Sequence, residues 1–439
     1  MPPVMHAHSD PCPASAVSHG TGFSGMIGLL IWAAIAWHYG MDGPSAALTA
    51  VLACGLPMLL WSILVDKVHR RASTGIDWSL KRPLSETTDI SLVKIAGLWA
   101  TWGGIAVFYC LARWYWDGNY RNVMDLLASA APWLAGLSIP YIFWLDRHLV
   151  EPRDGTFAFG QWVIGGAAGA PDMQALANHV RSWMVKGFFL AFMLSIVPGN
   201  FSQFIRWNPA DVLSGPIPLA NFLITFMFLI DVSFATVGYM LTMKPLDAHI
   251  RSAEPTLAGW VAALMCYPPF VLMGNGGPLD YHPGTAEWSQ WLAADAGWKV
   301  AAQWSLGSVL VLLTAIYAWA TVAFGLRFSN LTHRGVLTHG PYRWTRHPAY
   351  VSKNAFWWLS TLPFLSVNGS LVEMVRNSAI MAVVSGIYYW RARTEEAHLG
   401  RDPDYRAYSA WMERHAPVPR LIAWITGRSR PVQDLQPAE

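Results

Sequence analysis

Long apolar runs, each bounded by charge, proline or glycine, recur near residues 23–39, 44–65, 91–112, 126–145, 187–206, 217–243, 257–273, 302–326, 350–366 and 371–390. A helix needs roughly 20 mostly apolar residues to cross the hydrocarbon core of a bilayer. The pattern therefore predicts an all-α polytopic membrane bundle of about ten transmembrane helices. Proline interrupts several runs, at Pro57, Pro140, Pro198, Pro268, Pro269 and Pro363. Packed spans tolerate such residues as kinks where neighbours satisfy the freed carbonyls.

The basic residues sort with these runs. With the N-terminus placed in the cytoplasm, the inner segments hold Lys67, Arg70, Arg71, Lys81 and Arg82, then Arg147, Arg153, Arg181 and Lys186, then Lys244 and Arg251, then Arg327, Arg334, Arg343 and Arg346. Eight further arginines follow Trp390, whereas the outer loops hold Arg113, Arg121, Arg206 and Lys299. Positive charge accumulates on the cytoplasmic side of membrane proteins, so both termini are placed inside.

Composition agrees with this map. Charged residues make up 13% of the 439, where soluble globular chains carry about 25%. Hydrophobic residues make up 54%, and 25 residues are Trp, a side chain that gathers at membrane–water boundaries. An ordinary soluble enzyme is excluded. A net charge of +3 points to no nucleic-acid partner. Cys12, Cys54, Cys110 and Cys266 are far apart, with no metal or disulfide spacing. No Lys or Arg occurs in the first 22 residues, so the first run is expected to be a retained span. A bacterial inner membrane is the simplest expected location.

Some positions stand out singly. Asp231 lies in the middle of an apolar run, and an ionisable group at that depth is either functional or held by hydrogen bonds. Lys353 and Asn354 lie just inside the span that starts near 350, facing either the inner mouth or a neighbouring helix. Glu373 and Arg376, one turn apart, are expected to pair. The stretch carrying Trp288, Trp291 and Trp298 is expected to lie in the interface as an anchor. His6 and His8 have no further ligand nearby, so no metal site is expected. Dinucleotide-fold, phosphate-loop and zinc-protease motifs are absent.

Polar chemistry concentrates in residues 327–349 and 391–421, dense in His, Arg, Tyr and Glu. They flank the last two runs, joined by the turn at residues 366–370. A hairpin returns its ends to one face, so Arg346-His347-Pro348-Ala349-Tyr350 and Glu395-Glu396 can meet at the inner water boundary. Cations, carboxylates and aromatic rings together suit a zwitterionic water-soluble molecule. A guanidinium such as Arg346 answers a carboxylate, Glu395 or Glu396 an amino group and ribose hydroxyls, and Tyr342 or Tyr350 a flat heterocycle. Against this, arginines at a span boundary often serve only as anchors, and Glu395 and Glu396 have Arg391 and Arg393 within helical pairing distance.

Gly340-Pro341-Tyr342, Arg346-His347-Pro348-x-Tyr350, Glu395-Glu396 and Tyr405-x-x-Tyr408, in this order around a helical hairpin, resemble the isoprenylcysteine carboxyl methyltransferase family and the related membrane phospholipid methyltransferases. The resemblance covers about 327–421. It implies a membrane enzyme that uses S-adenosylmethionine to methylate a lipid or lipid-linked acceptor. It carries over His339, Gly340, Tyr342, Arg346, His347, Pro348, Tyr350, Glu395 and Glu396 as cofactor-binding positions. Arg346, His347 and Glu396 are the residues placed nearest the reaction, His347 or Glu396 taking a proton where the acceptor is an amine or hydroxyl. The chain departs from the family pattern at Ser352, where a glycine is usual, and in a short stretch between Glu396 and Tyr405. It also carries roughly 300 residues before the module.

The expected organisation is a transmembrane region of unassigned role over 1–300, a methyltransferase-like module over 301–421 and a disordered tail over 422–439. The acceptor and the oligomeric state are not legible. A membrane reductase of the sterol type using NADPH, and a transporter or lipid-binding scaffold with a degenerate module, are the alternatives.

Overall fold

The computed structural model describes residues 11–165, 169–293, 297–418 and 420. His6, His8 and the tail 422–439 lie outside these. In chain order the helices are α1 His19–Tyr39, α2 Pro44–Leu64, α3 Leu84–Leu111, α4 Asn119–Asp146, α5 Gly155–Ile164, α6 Met173–Ile205, α7 Pro209–Val212, α8 Pro216–Met240, α9 Leu257–Leu264, α10 Trp288–Trp291, α11 Gly297–Phe324, α12 Pro348–Thr361, α13 Leu371–Leu399 and α14 Pro403–His415. Two short strands, β1 Ser252–Ala253 and β2 Thr332–His333, pair antiparallel. The protein is an all-α polytopic bundle.

Among the described residues eight helices are long and apolar enough to cross a membrane: α1, α2, α3, α4, α6, α8, α11 and α13. Two of the about ten expected runs are therefore not full-length helices. The runs at 257–273 and 350–366 instead hold α9, of 8 residues, and α12, of 14. α9 ends four residues before Pro268, and α12 ends at Thr361, with left-handed Leu362 preceding Pro363. Proline lacks the amide donor and disfavours helical geometry in the residue before it. Pro57, Pro140 and Pro198 stay inside α2, α4 and α6.

Both short helices are continued by irregular chain that reaches the far end of the bundle. There the Val367 amide donates to the Gly284 carbonyl at 3.0 Å, the Thr285 hydroxyl to Thr361 O at 2.9 Å and Arg376 to Pro283 O at 2.7 Å. Part of residues 265–281 is covered by α12 and α13, with Met273 and Tyr281 packed near Met381, Val384 and Tyr388. Irregular backbone at membrane depth survives only with such cover. Arg376 does not pair with Glu373, which accepts from Ser366 at 2.7 Å. Trp288 is buried against Ala220, Ile224 and Leu310, so it packs into the bundle where an interfacial anchor was expected.

The segments that the charge pattern assigns to the inner side converge at the opposite end. Lys94 donates to Asp146 at 2.7 Å and to Asp154 at 3.1 Å, and Lys244 reaches Asp154 at 3.0 Å. These pairs fasten α3, α4 and the start of α5 to the segment after α8. Asp154 also caps α5 through the amides of Thr156 and Phe157. Close approach of α3 and α5 depends on Gly160, where an added Cβ would overlap the Val93 carbonyl. Small residues let helices meet in this way.

Arg334, buried just after β2, has no carboxylate partner among the described residues. It donates instead to carbonyls of Gly238, Leu241, Ala248, Leu326 and Phe328. Gly238 and Leu241 lie at the C-terminal end of α8, and Leu326 follows α11. The last carbonyls of a helix lack intrahelical donors and carry partial negative charge, so one guanidinium ties two long helices to the loop before α12. Arg334→Met should lower stability by at least about 3 kcal/mol, since each buried acceptor left without a donor costs about 1–3 kcal/mol. Thermal unfolding in detergent micelles measures this.

Candidate functional site

The loop that Arg334 anchors runs on to α12, where His347 is the N-cap residue and Pro348 occupies the first turn, its fixed φ suited to a helix start. Tyr350 follows almost one turn later. Facing them, Glu395 and Glu396 occupy the last turns of α13, and α14 folds back after the Asp402 cap.

Glu396 is the centre of this arrangement. Its Oε1 takes Arg346 Nε at 3.0 Å and His347 Nε2 at 3.0 Å, while its Oε2 takes Arg393 at 2.6 Å. The Tyr350 hydroxyl donates to Glu395 at 2.7 Å, and the His347 and Tyr350 rings stack 5.5 Å apart and nearly parallel. Arg346 continues to α14, donating to Ser409 Oγ at 2.5 Å and lying 3.7 Å from Glu413. Two guanidiniums and an imidazole thus face three carboxylates with little excess of either sign.

Of the sequence-derived residues, Arg346, His347, Tyr350, Glu395 and Glu396 stand together, with Pro348 setting the helix start that places them. His339, Gly340 and Tyr342 form a second group on the side of α11. The His339 ring bonds Ser15 Oγ at 2.7 Å through Nδ1 and meets His19 edge-on at 4.3 Å. Gly340 has a left-handed φ of 59°, beside the indole of Trp319. The Tyr342 ring packs on Phe324 at 5.5 Å and its carbonyl accepts from Tyr408 at 2.7 Å. Burial pushes the Tyr342 and Tyr405 phenols well above their ordinary range, reinforced by the charge of Glu395 on the first and Glu396 on the second. Both phenols therefore remain neutral.

Sequence reasoning missed three participants. The sequence puts Arg391 within helical pairing distance of Glu395, yet it is 6% exposed and lies over the rings of Tyr350 at 5.0 Å and Tyr267 at 5.3 Å. It donates to Asn330 at 2.6 Å, so it pairs with neither Glu395 nor Glu396. Ser409 and Glu413 had a signal available: they sit four apart on a helix opened by Asp402-Pro403, on the face that carries Tyr405.

The N-terminal segment also covers this end. Ala16 N donates to Val336 O at 2.9 Å and Thr338 Oγ1 to Pro13 O at 2.6 Å. No run of apolar periodicity marks that contact.

Residues 289–412 match a domain family described as a protein of unknown function (DUF1295), related to the steroid 5-alpha reductase and isoprenylcysteine carboxyl methyltransferase-like membrane proteins. The match spans less than a third of the chain. No curated protein and no solved structure matches it.

Burial lowers the His339 pKa to about 4, and the neighbouring His19 acts in the same direction. An unfolded histidine takes its proton near 6.5, so between those values the unfolded chain binds more protons than the folded one. Stability should then be lost as pH falls from about 6.5 to about 4. His339→Asn, which cannot titrate, should reduce the slope of that part of the curve by about one proton's share, His249, also lowered to about 4 by burial, supplying part of the remainder. Unfolding midpoints across the pH series decide it.

Proposed function

We propose that this protein is an integral membrane methyltransferase that binds S-adenosylmethionine at the α12–α13–α14 mouth and acts on a lipid or lipid-linked acceptor. The observation that carries the reading is the balanced ion cluster around Glu396. Each cation in it already faces a carboxylate, which suits a ligand with one carboxylate, one ammonium and one sulfonium. A dinucleotide phosphate would bring several negative charges and would call for basic residues in excess. That difference favours the methyltransferase reading over the reductase one.

The residues present fit such a cofactor by donor chemistry. Arg346 would exchange part of its contact with Glu396 and Glu413 for the cofactor carboxylate, since a guanidinium has five donors. Glu395 and Glu396 would accept from its amino group and ribose hydroxyls. The stacked pair His347 and Tyr350 offers a flat face for adenine. When bound, the sulfonium supplies an already activated methyl group. The protein then has to orient the reactants and exclude water, effects worth up to about 7–11 kcal/mol. Where the acceptor carries a proton, His347 or Glu396 would take it, the two being in contact at 3.0 Å.

The location follows from solubility. A charged cofactor approaches from water and a lipid acceptor from the bilayer, so their meeting point has to lie where the span ends.

Calorimetric titration of the purified protein with S-adenosylhomocysteine and with NADPH tests the reading: the first should bind and the second should not. Arg346→Ala and Glu396→Gln should each weaken binding by at least about tenfold, a charge-assisted bond being worth roughly 1.5–3 kcal/mol. Binding of NADPH alone would replace this reading with the reductase one.

A further inference from the structure

Deeper along α12, past the ion cluster, lies a second group of polar side chains that the proposed function does not use. Asp231, in the middle of α8, is 8% exposed. Its carboxylate accepts from the Tyr317 hydroxyl at 3.0 Å and from the Thr321 hydroxyl, one turn further along α11. On α12 the Lys353 ammonium lies 5.4 Å from the ring centre of Tyr317, 5.1 Å from Trp357 and 5.9 Å from Tyr388. Tyr317 thus touches both groups, its hydroxyl on Asp231 and its ring face under Lys353, while among the described residues the two form no ion pair within 4 Å.

Hydrogen-bond capacity here is left over on both sides. An ammonium has three donors, and among the described residues no acceptor takes one from Lys353; three rings hold it by cation–π attraction alone. A carboxylate offers about four lone-pair sites, of which Tyr317 and Thr321 occupy two. Beside Lys353, Asn354 Oδ1 is buried with no donor, while its amide nitrogen is spent on the Tyr350 carbonyl at 2.8 Å. Unmet donors and acceptors at membrane depth are costly, and ionisable groups there mark functional sites.

We infer that Lys353 and Asp231, joined through Tyr317, form an intramembrane binding site for a hydrophobic phenol, a ring-bearing lipid with one hydroxyl. The inference goes beyond the proposed function and does not depend on it. A hydroxyl supplies lone pairs to Lys353 and its one proton to an unused lone pair of Asp231, so one small group answers both deficits. A carboxylate or phosphate head would satisfy Lys353 but would bring its charge against Asp231, and it has no proton to give. The rings of Tyr317, Trp357 and Tyr388 provide the flat apolar walls that an aromatic ligand packs on. Lys353 and Trp357 are half-buried, which leaves entry from the side of the bundle.

Binding of radiolabelled 4-octylphenol to the full chain in lipid nanodiscs, against empty nanodiscs, tests the site without any cofactor. Saturable binding is expected, with octylbenzene at least tenfold weaker and decanoate no competitor. Lys353→Met and Asp231→Asn should each weaken 4-octylphenol binding at least tenfold while retaining the unfolding midpoint within a few degrees. Equal binding of octylbenzene in the unaltered chain, a comparison that needs no variant, would overturn the inference. So would decanoate displacing the phenol, or both variants binding like the unaltered protein.

Discussion

A single buried guanidinium sets the frame on which the chemistry rests. Arg334 is held by carbonyl dipoles rather than by a counter-charge, and its acceptors belong to the ends of α8 and α11 and to the loops beside them. Nearby, Arg327 reaches Asp247 at 2.6 Å, tying the same two loops a second time. Because α11 and α8 pack along their length and α12 packs on α11, fixing their ends fixes where α12 begins. His347, Tyr350 and Lys353 then follow along α12 at helical spacing, the first two at the mouth and the third inside the bundle.

Two electrostatic regimes share that helix. At the mouth, Glu396 is surrounded by Arg346, His347 and Arg393, all partly reachable by water. The Arg393 pair is half exposed and screened, whereas Arg346 and His347 are mostly covered, so a ligand there has to replace their contacts with Glu396 in kind. Less than two helical turns further along α12, Lys353 and Asp231 both touch Tyr317, where screening is poor and every unmet donor counts. A helix that begins in the first environment and continues into the second connects an aqueous ligand site with an apolar one.

The bundle itself was largely legible from sequence. Apolar blocks bounded by charge marked the eight long helices, and the uneven spread of Lys and Arg marked the loops that now meet at one end. The hairpin argument brought Arg346, His347, Tyr350, Glu395 and Glu396 together without any coordinates. Less legible were the runs at 257–273 and 350–366. Their hydropathy matched a full span, but prolines near 268 and 363 cut the helices short, and hydropathy averages carry no information about backbone donors.

Period and composition state which residues must leave water, and they did so here for nearly every crossing, because an unpaired peptide group in hydrocarbon permits few alternatives. Direction and partnership need three dimensions. Whether Arg391 would sit among Tyr267, Tyr350 and Asn330 or pair with Glu395, whether His339 would join Glu396 or Ser15, and whether Lys353 would lie over Tyr317 all depend on which long-range neighbour arrives with a matching lone pair or ring face. The chain order of a side chain fixes its helix and its turn; packing of α8, α11, α12 and α13 against one another decides what it touches.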